Sequence, residues 1–262
     1  MQQTKCARVT VWLVLIALIC LESSLSAQTK SRVNHAGYTD VPVLFVGCAS
    51  DGQVGPLEAP SAKSKVMAIS AGAAERLAYY KAEYGVGVLA PRGWHCFGTY
   101  GSNGATLYVS PDPINAADLL STSWKGFAGP AIQISVAEGG TSGRFEVAKT
   151  IARVFPKHKA FVARVIAEGI EPASSFPFGP YPADTLKYKN DHCVEFWTPA
   201  GTDGLGTASR LLKNDSPISG VAILVGEESS LLHLSIRLPS AASDLVPLIV
   251  AQTEQEAAHS DN

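Results

Sequence analysis

The chain has 262 residues, of which 46% are hydrophobic and 17% charged, and its formal net charge is -2. A charge this close to zero gives no global reason to expect nucleic acid or a membrane surface as a partner. The length is enough to bury a substantial core, either as one large domain or as two small ones.

The amino terminus has the pattern of a secretory signal peptide. Lys5 and Arg8 precede an apolar run over residues 11–21, and small residues follow up to Ala27. At about 1.5 Å per residue this run covers about half of a bilayer core of roughly 30 Å, so a cleaved leader is favoured over an anchor. We expect cleavage near Ala27 and a secreted or periplasmic mature chain. That chain would not span a membrane, and its net charge would be -3 because two basic residues and Glu22 are lost.

Residues 28–262 are expected to form a single domain, with 111–130 as the alternative seam between two subdomains. Strands are predicted at 43–46, 65–69, 86–89 and 105–109. Ser70 is a suitable cap for a helix from about Ala73 to Tyr84. The three glycines between Trp94 and Ala105 predict a mobile or tightly turned loop.

A basic helical pair is predicted in the middle of the chain. A strand at 131–138 and a glycine-rich turn lead to helices at 144–155 and 157–168. Their basic side chains are Arg144, Lys149, Arg153, Lys157, Lys159 and Arg164. Because Glu146 is the only acidic residue from Arg144 to Ala167, the local charge excess over that stretch is +5. This excess predicts contact with an anionic lipid, glycan or polymer surface, and a solvated helix face is the alternative.

The last third of the chain is dominated by strand patterns. After a long loop at 170–185, polar and apolar residues alternate over 186–196, unless Asn190 and Asp191 form a turn. Residues 221–225 are apolar throughout, and 232–238 alternate, which predicts a hairpin whose second strand is covered on one side. A final helix at 241–256 follows. The predicted class is α+β, with a mostly antiparallel sheet and a C-terminal β-hairpin before the terminal helix.

Three cysteines, Cys48, Cys96 and Cys193, lie beyond the leader, which suggests one disulfide and one free thiol without deciding the pair. One enzymatic alternative is a cysteine hydrolase with Cys96 as nucleophile, His192 as base and Asp191 or Glu195 as the orienting acid. No cysteine-hydrolase signature accompanies these residues. If the alternation over 186–196 is a continuous strand, His192 lies on its apolar face and is expected to be an interior histidine.

Neither a metal nor a cofactor is expected. In the dipeptides His95-Cys96 and His192-Cys193, neighbours on a strand would point to opposite faces and so could not share one metal ion. The glycine-rich turns lack the spacing of nucleotide-binding loops. On the polar face of the last strand, His233 and Ser235 are about 6.6 Å apart along the backbone, which is long for a nucleophile and its base. The sequence therefore favours an exported, soluble binding or envelope-associated protein of unknown ligand.

Overall fold

The computed structural model describes residues 39–119, 121–227 and 229–260, with the backbone alone for 259 and 260. The predicted leader and its cleavage site lie outside these residues. The strands are β1 (Thr39–Gly47), β2 (Ser50–Gly52), β3 (Ser64–Ile69), β4 (Leu77–Lys81), β5 (Val88–Pro91), β6 (His95–Gly101), β7 (Gly104–Ser110), β8 (Ala131–Ala137), β9 (Thr185–Asn190), β10 (Cys193–Thr198), β11 (Ile218–Val225) and β12 (Ser230–Arg237). The α-helices are α1 (Ala71–Arg76), α2 (Ala116–Leu119), α3 (Arg144–Val154), α4 (Lys159–Ala167) and α5 (Val246–Ser260). Short 3-10 helices lie at Pro156–His158, Ala173–Ser175, Gly206–Ala208 and Ser240–Leu245.

The strands form two sheets. The smaller sheet has the order β3-β1-β4-β5, and the larger has the order β2-β6-β7-β8-β12-β11-β10-β9. Every named pair is antiparallel except β1 with β4 and β2 with β6. The α+β class, the mostly antiparallel pairing and the C-terminal hairpin before a terminal helix are confirmed.

The large sheet is covered on both faces. On one face Leu107, Ile134 and Leu234 belong to a core shared with the small sheet and α5. On the other face Val194 and Leu224 pack with the apolar stripe of α3 and α4. No helix among the described residues is long and apolar enough to cross a membrane.

The hairpin of β11 and β12 lies in the interior of the large sheet. Val221 pairs with Leu234 in its ladder, and β12 pairs with β8 on the other side. The prediction that this last strand is covered on one side only is wrong. His233, Ser235 and Arg237 are also buried, because the helical layer and its loops close over their face.

The helix predicted from Ala73 to Tyr84 is mostly a strand. Ser70 does cap a short helix, accepting a hydrogen bond from the Ala73 N-H, but α1 ends at Arg76. Residues 77–80 are buried on both faces, and the strand that they form pairs with β1 and β5. Here the burial of two consecutive tyrosines and the pairing between strands outweigh the helical spacing.

The glycine-rich segment after Trp94 is a β-hairpin and not an irregular loop. In β6, Gly98 faces the side chains of Ser50 and Ala82, where a Cβ atom would come within 3 Å of both. Gly104 begins β7 with a φ of 133°, close to the carbonyl oxygen of Val136. These two glycines therefore permit close packing, which composition alone does not distinguish from flexibility.

A disulfide joins Cys48, directly after β1, to Cys96 in β6. It links the small sheet to the large one. Cys193 is buried as a free thiol. The turn that was the alternative interpretation near Asn190 does form, since β9 ends there and β10 begins at Cys193.

Candidate binding cleft

An open cleft of about 630 Å³ lies on the helical side of the large sheet. Its floor is formed by β6, β7, β8 and β12, one wall by the start of α3, and the opposite wall by residues 208–210. This volume is within the range of small-molecule sites, roughly 300 to 1,000 Å³.

The floor is polar although the strands that form it are largely buried. Thr106, Ser135 and His233 are paired in one row across β7, β8 and β12. Tyr108 and Gln133 form the next row. Because side chains alternate along a strand, all five point to the face that the cleft occupies.

At one end of the floor, Tyr108 packs against an aromatic cluster formed with Trp124 and Phe127. Its ring lies 6.0 Å from the Trp124 ring and 5.8 Å from the Phe127 ring. Its hydroxyl lies beside Thr99 and Arg210, and burial raises the pKa of Tyr108. The hydroxyl therefore stays protonated at neutral pH and is able to donate a hydrogen bond.

The wall at residues 208–210 presents a cation. The Arg210 backbone N-H donates a hydrogen bond of 2.7 Å to Oε1 of Gln133, which fixes this wall to β8. The guanidinium lies 5.7 Å from the Trp124 ring. Among the described residues no carboxylate forms an ion pair with Arg210. Its charge is thus available to the cleft.

The opposite wall presents a carboxylate. Residues 138–143 join the end of β8 directly to α3, so that Glu146 and Lys149 face the cleft from the first turns of the helix. Lys149 is paired with Glu171 at 3.2 Å, whereas no lysine or arginine of the described residues pairs with Glu146. Glu146 is accessible to cleft water but has protein on most sides, and this partial desolvation raises the pKa of its carboxyl.

His233 keeps the centre of the floor uncharged. Its ring packs edge-on against Phe196 at 5.4 Å, and Nε2 lies 3.4 Å from the Ser235 hydroxyl. Burial lowers the pKa of His233 to about 4. The imidazole is therefore neutral near pH 7, and the charges of the cleft are confined to its walls.

The proposed hydrolase residues do not come together. Cys96 is bonded to Cys48 and has no thiol to act as a nucleophile. Cys96 lies on β6, which is five strands away from β10 in the large sheet. At about 4.8 Å per strand, this places Cys96 roughly 24 Å from His192, which directly precedes β10. Asp191 pairs with Lys157 at 2.9 Å instead of orienting a base. The prediction of a Cys96, His192 and Asp191 site is wrong.

His192 is not an interior histidine, as a continuous strand would have made it. It lies in the turn between β9 and β10, is exposed, and contacts the ring of His158 at 4.6 Å. Glu195 is held by Lys187 and Lys189, at 3.0 and 2.7 Å.

The basic helical pair exists, but its charge is partly compensated. Arg144, Lys149 and Lys157 pair with Glu168, Glu171 and Asp191. These three carboxylates lower the local excess from +5 to +2. The other three cations contact aromatic rings: Arg153 with Tyr181, Lys159 with Phe178 and Arg164 with Phe161. Of the six, only Lys149 lines the cleft.

The cleft is not predicted from the sequence, although the sequence contains a pattern that marks its floor. Polar residues recur at alternate positions in segments that are otherwise apolar, at 106 and 108, at 133 and 135, and at 233 and 235. Each pair alone suggests only a solvated strand face. The three pairs indicate a single polar surface only because β7, β8 and β12 are neighbours in the sheet.

In the described part of the chain, no group of three or more His, Cys, Asp or Glu residues is arranged to hold a metal ion. No protein-family model matches the chain, and no curated protein or solved structure shows significant similarity to it.

Proposed function

We propose that this chain is an exported binding protein that holds a polar small molecule in the cleft. The observation that carries the proposal is the contrast between the floor and the walls. An uncharged floor of hydroxyl, amide and imidazole groups lies between Arg210 and Glu146, neither of which has an ion-pair partner within the described residues. A few convergent polar groups in a concave site are typical of ligand-binding pockets.

Two observations support export. The pattern of Lys5, Arg8 and the apolar run up to Leu21 favours a cleaved leader. The disulfide between Cys48 and Cys96 is of a kind that persists in oxidising compartments such as the periplasm or the extracellular space.

Binding is favoured over catalysis because the cleft lacks a well-placed nucleophile and base. The nearest such pair is the Ser235 hydroxyl and the His233 imidazole, 3.4 Å apart, which is longer than the usual 2.6 to 3.2 Å. Both side chains are almost fully buried, so a substrate would have no access to the hydroxyl.

Contact with an anionic surface is the second candidate function. It is supported by Lys159 and Arg164, which are exposed and have no carboxylate partner within the described residues. Three of the other four cations pair with acidic residues, which makes this surface weaker than the sequence suggests.

Filling the cleft tests the first proposal. A panel of amino acids, short peptides, sugars, carboxylic acids and nucleosides would be screened by thermal unfolding. A ligand at about 100 times its Kd adds about 2.7 kcal/mol of stability, which raises the Tm by about 5 to 11 °C in a chain of this size. Thr106→Trp, in the floor, should abolish the shift. Thr185→Trp, on the exposed edge strand β9, should preserve it.

The proposal fails if no compound of the panel raises the Tm of the wild-type protein. It also fails if Thr106→Trp and Thr185→Trp respond to a ligand in the same way, because the ligand would then bind outside the cleft.

A further inference from the structure

We propose that the ligand of the cleft is a short zwitterionic peptide, with its carboxylate at Arg210 and its ammonium group at Glu146. This inference rests on the proposed binding function and names the class of ligand. It follows from the sign, the pairing and the spacing of the charged groups on the two walls.

The two walls that carry the charges are attached near opposite ends of β8. Arg210 is tied to Gln133, whereas α3 follows the turn after Ala137. Four residues of β8 separate these two anchor positions, which is about 14 Å along the backbone at roughly 3.4 Å per residue. Three extended peptide residues span about 10 Å, so a two- or three-residue peptide fits this spacing better than a single amino acid, whose charges lie much closer together.

The charge pattern disfavours other classes of ligand. The cleft contains Arg210 and Lys149 against Glu146 and Glu171, so its formal charges cancel. Lys149 and Glu171 already pair with each other. A polyanion would meet Glu146, and a polycation would meet Arg210. The hydroxyls of an uncharged sugar would form hydrogen bonds with both groups but would neutralise neither charge, so the charge pattern gives no preference for a sugar.

The middle of the floor suits a peptide backbone. The hydroxyls of Thr106, Ser135 and Tyr108 offer donors and acceptors between the two charged ends. Phe145 and Leu231 also line the cleft and supply apolar surface for small side chains. The amides of a bound peptide need hydrogen-bond partners in the middle of the site, and its two charged termini form ion pairs at the ends.

Isothermal titration with trialanine and its two capped forms tests the inference in the wild-type protein. We expect trialanine to bind, and N-acetylation or C-terminal amidation each to weaken binding at least 10-fold. Arg210→Gln should bind trialanine and its amide equally, because the partner of the carboxylate is gone. Glu146→Gln should bind trialanine and its N-acetyl form equally. Lys157→Gln, on the helical pair but outside the cleft, should retain the wild-type preferences.

Both cleft substitutions replace exposed side chains, and unchanged melting temperatures would show that the variants fold. Equal binding of the free and capped peptides by the wild-type protein would overturn the inference. So would the absence of trialanine binding if another compound of the panel binds and Thr106→Trp blocks it, and in that case the binding function survives. If no compound binds at all, the proposed function fails together with the inference.

Discussion

Arg237 is a buried cation that holds one end of the cleft together. Its guanidinium donates hydrogen bonds to the carbonyl oxygens of Phe127 and Gly129, at 3.3 and 3.2 Å, and to that of Leu212. The residue is 2% exposed. These bonds fasten the segments that carry Phe127 and Leu212 to the last residue of β12, and Arg210 lies in the second of these segments.

Replacement of Arg237 should therefore destabilise the protein. In Arg237→Met the three carbonyl groups lose their donor, and we expect the free energy of unfolding to fall by about 3 kcal/mol. Urea denaturation measures this change. Arg76→Met is the matched control, because Arg76 forms an exposed pair with Asp244 and should have a much smaller effect. Equal losses in the two variants would contradict the structural role of Arg237.

His233 gives the molecule a defined dependence on pH. Its pKa falls from about 6.5 in the unfolded chain to about 4 in the folded protein, so between these values the unfolded state binds more protons. The stability that comes from keeping His233 neutral is therefore fully present above pH 6.5 and is lost as the pH falls towards 4. A fall from pH 7 to pH 5 lowers the free energy of unfolding by about 2 kcal/mol.

We expect His233→Gln to remove about this amount from the difference in unfolding free energy between pH 7 and pH 5. Urea denaturation at the two pH values, on the variant and the wild type, provides the comparison. The same pH dependence in both proteins would show that His233 does not titrate in this way.

Among the helices and strands, the sequence predicts well those whose apolar pattern depends only on residues nearby in the sequence. The apolar run of β11, the stripe of α3 and the position of α4 all lie close to their predicted bounds. The prediction fails for β4 and β6, since the burial of Tyr79 and the close contact at Gly98 depend on strands that lie elsewhere in the sequence. Helical spacing and glycine content carry no information about such partners.

The basic helical pair allows a separate test of the anionic-surface proposal. Vesicles with anionic lipids should bind the protein weakly at low salt and release it as salt rises, because screening acts over about 10 Å at 0.1 M. The double substitution Lys159→Glu and Arg164→Glu should weaken binding by about 30-fold or more, at roughly 1 kcal/mol per basic residue.

The control for this test is Lys63→Glu with Lys125→Glu, which makes the same change in net charge at exposed positions outside the helical pair. Vesicle co-sedimentation of the two double variants separates a local surface from net charge. If the wild-type protein does not bind vesicles even at low salt, this second candidate function is excluded.

At the scale of the whole molecule, the cleft is a product of assembly. Tyr108, Gln133, Arg210 and His233 come from four separate segments and meet only because β8 lies between β7 and β12. The alternating polar residues predict which strand faces carry polar side chains, but they do not predict that these faces lie side by side in the sheet. The order of strands in the large sheet is set by contacts between distant segments, which the periodicity of a single segment does not encode.

The position of the bound ligand on the large sheet is the sharpest check of binding in the cleft. Amide chemical shifts of the 15N-labelled protein would be followed while each compound of the panel is added. We predict that the first amides to move belong to the floor and the two walls, including Ser135, Glu146 and Arg210. Binding in the cleft is contradicted if every compound leaves these amides unchanged, or if the shifts occur only on the outer face of α3 and α4.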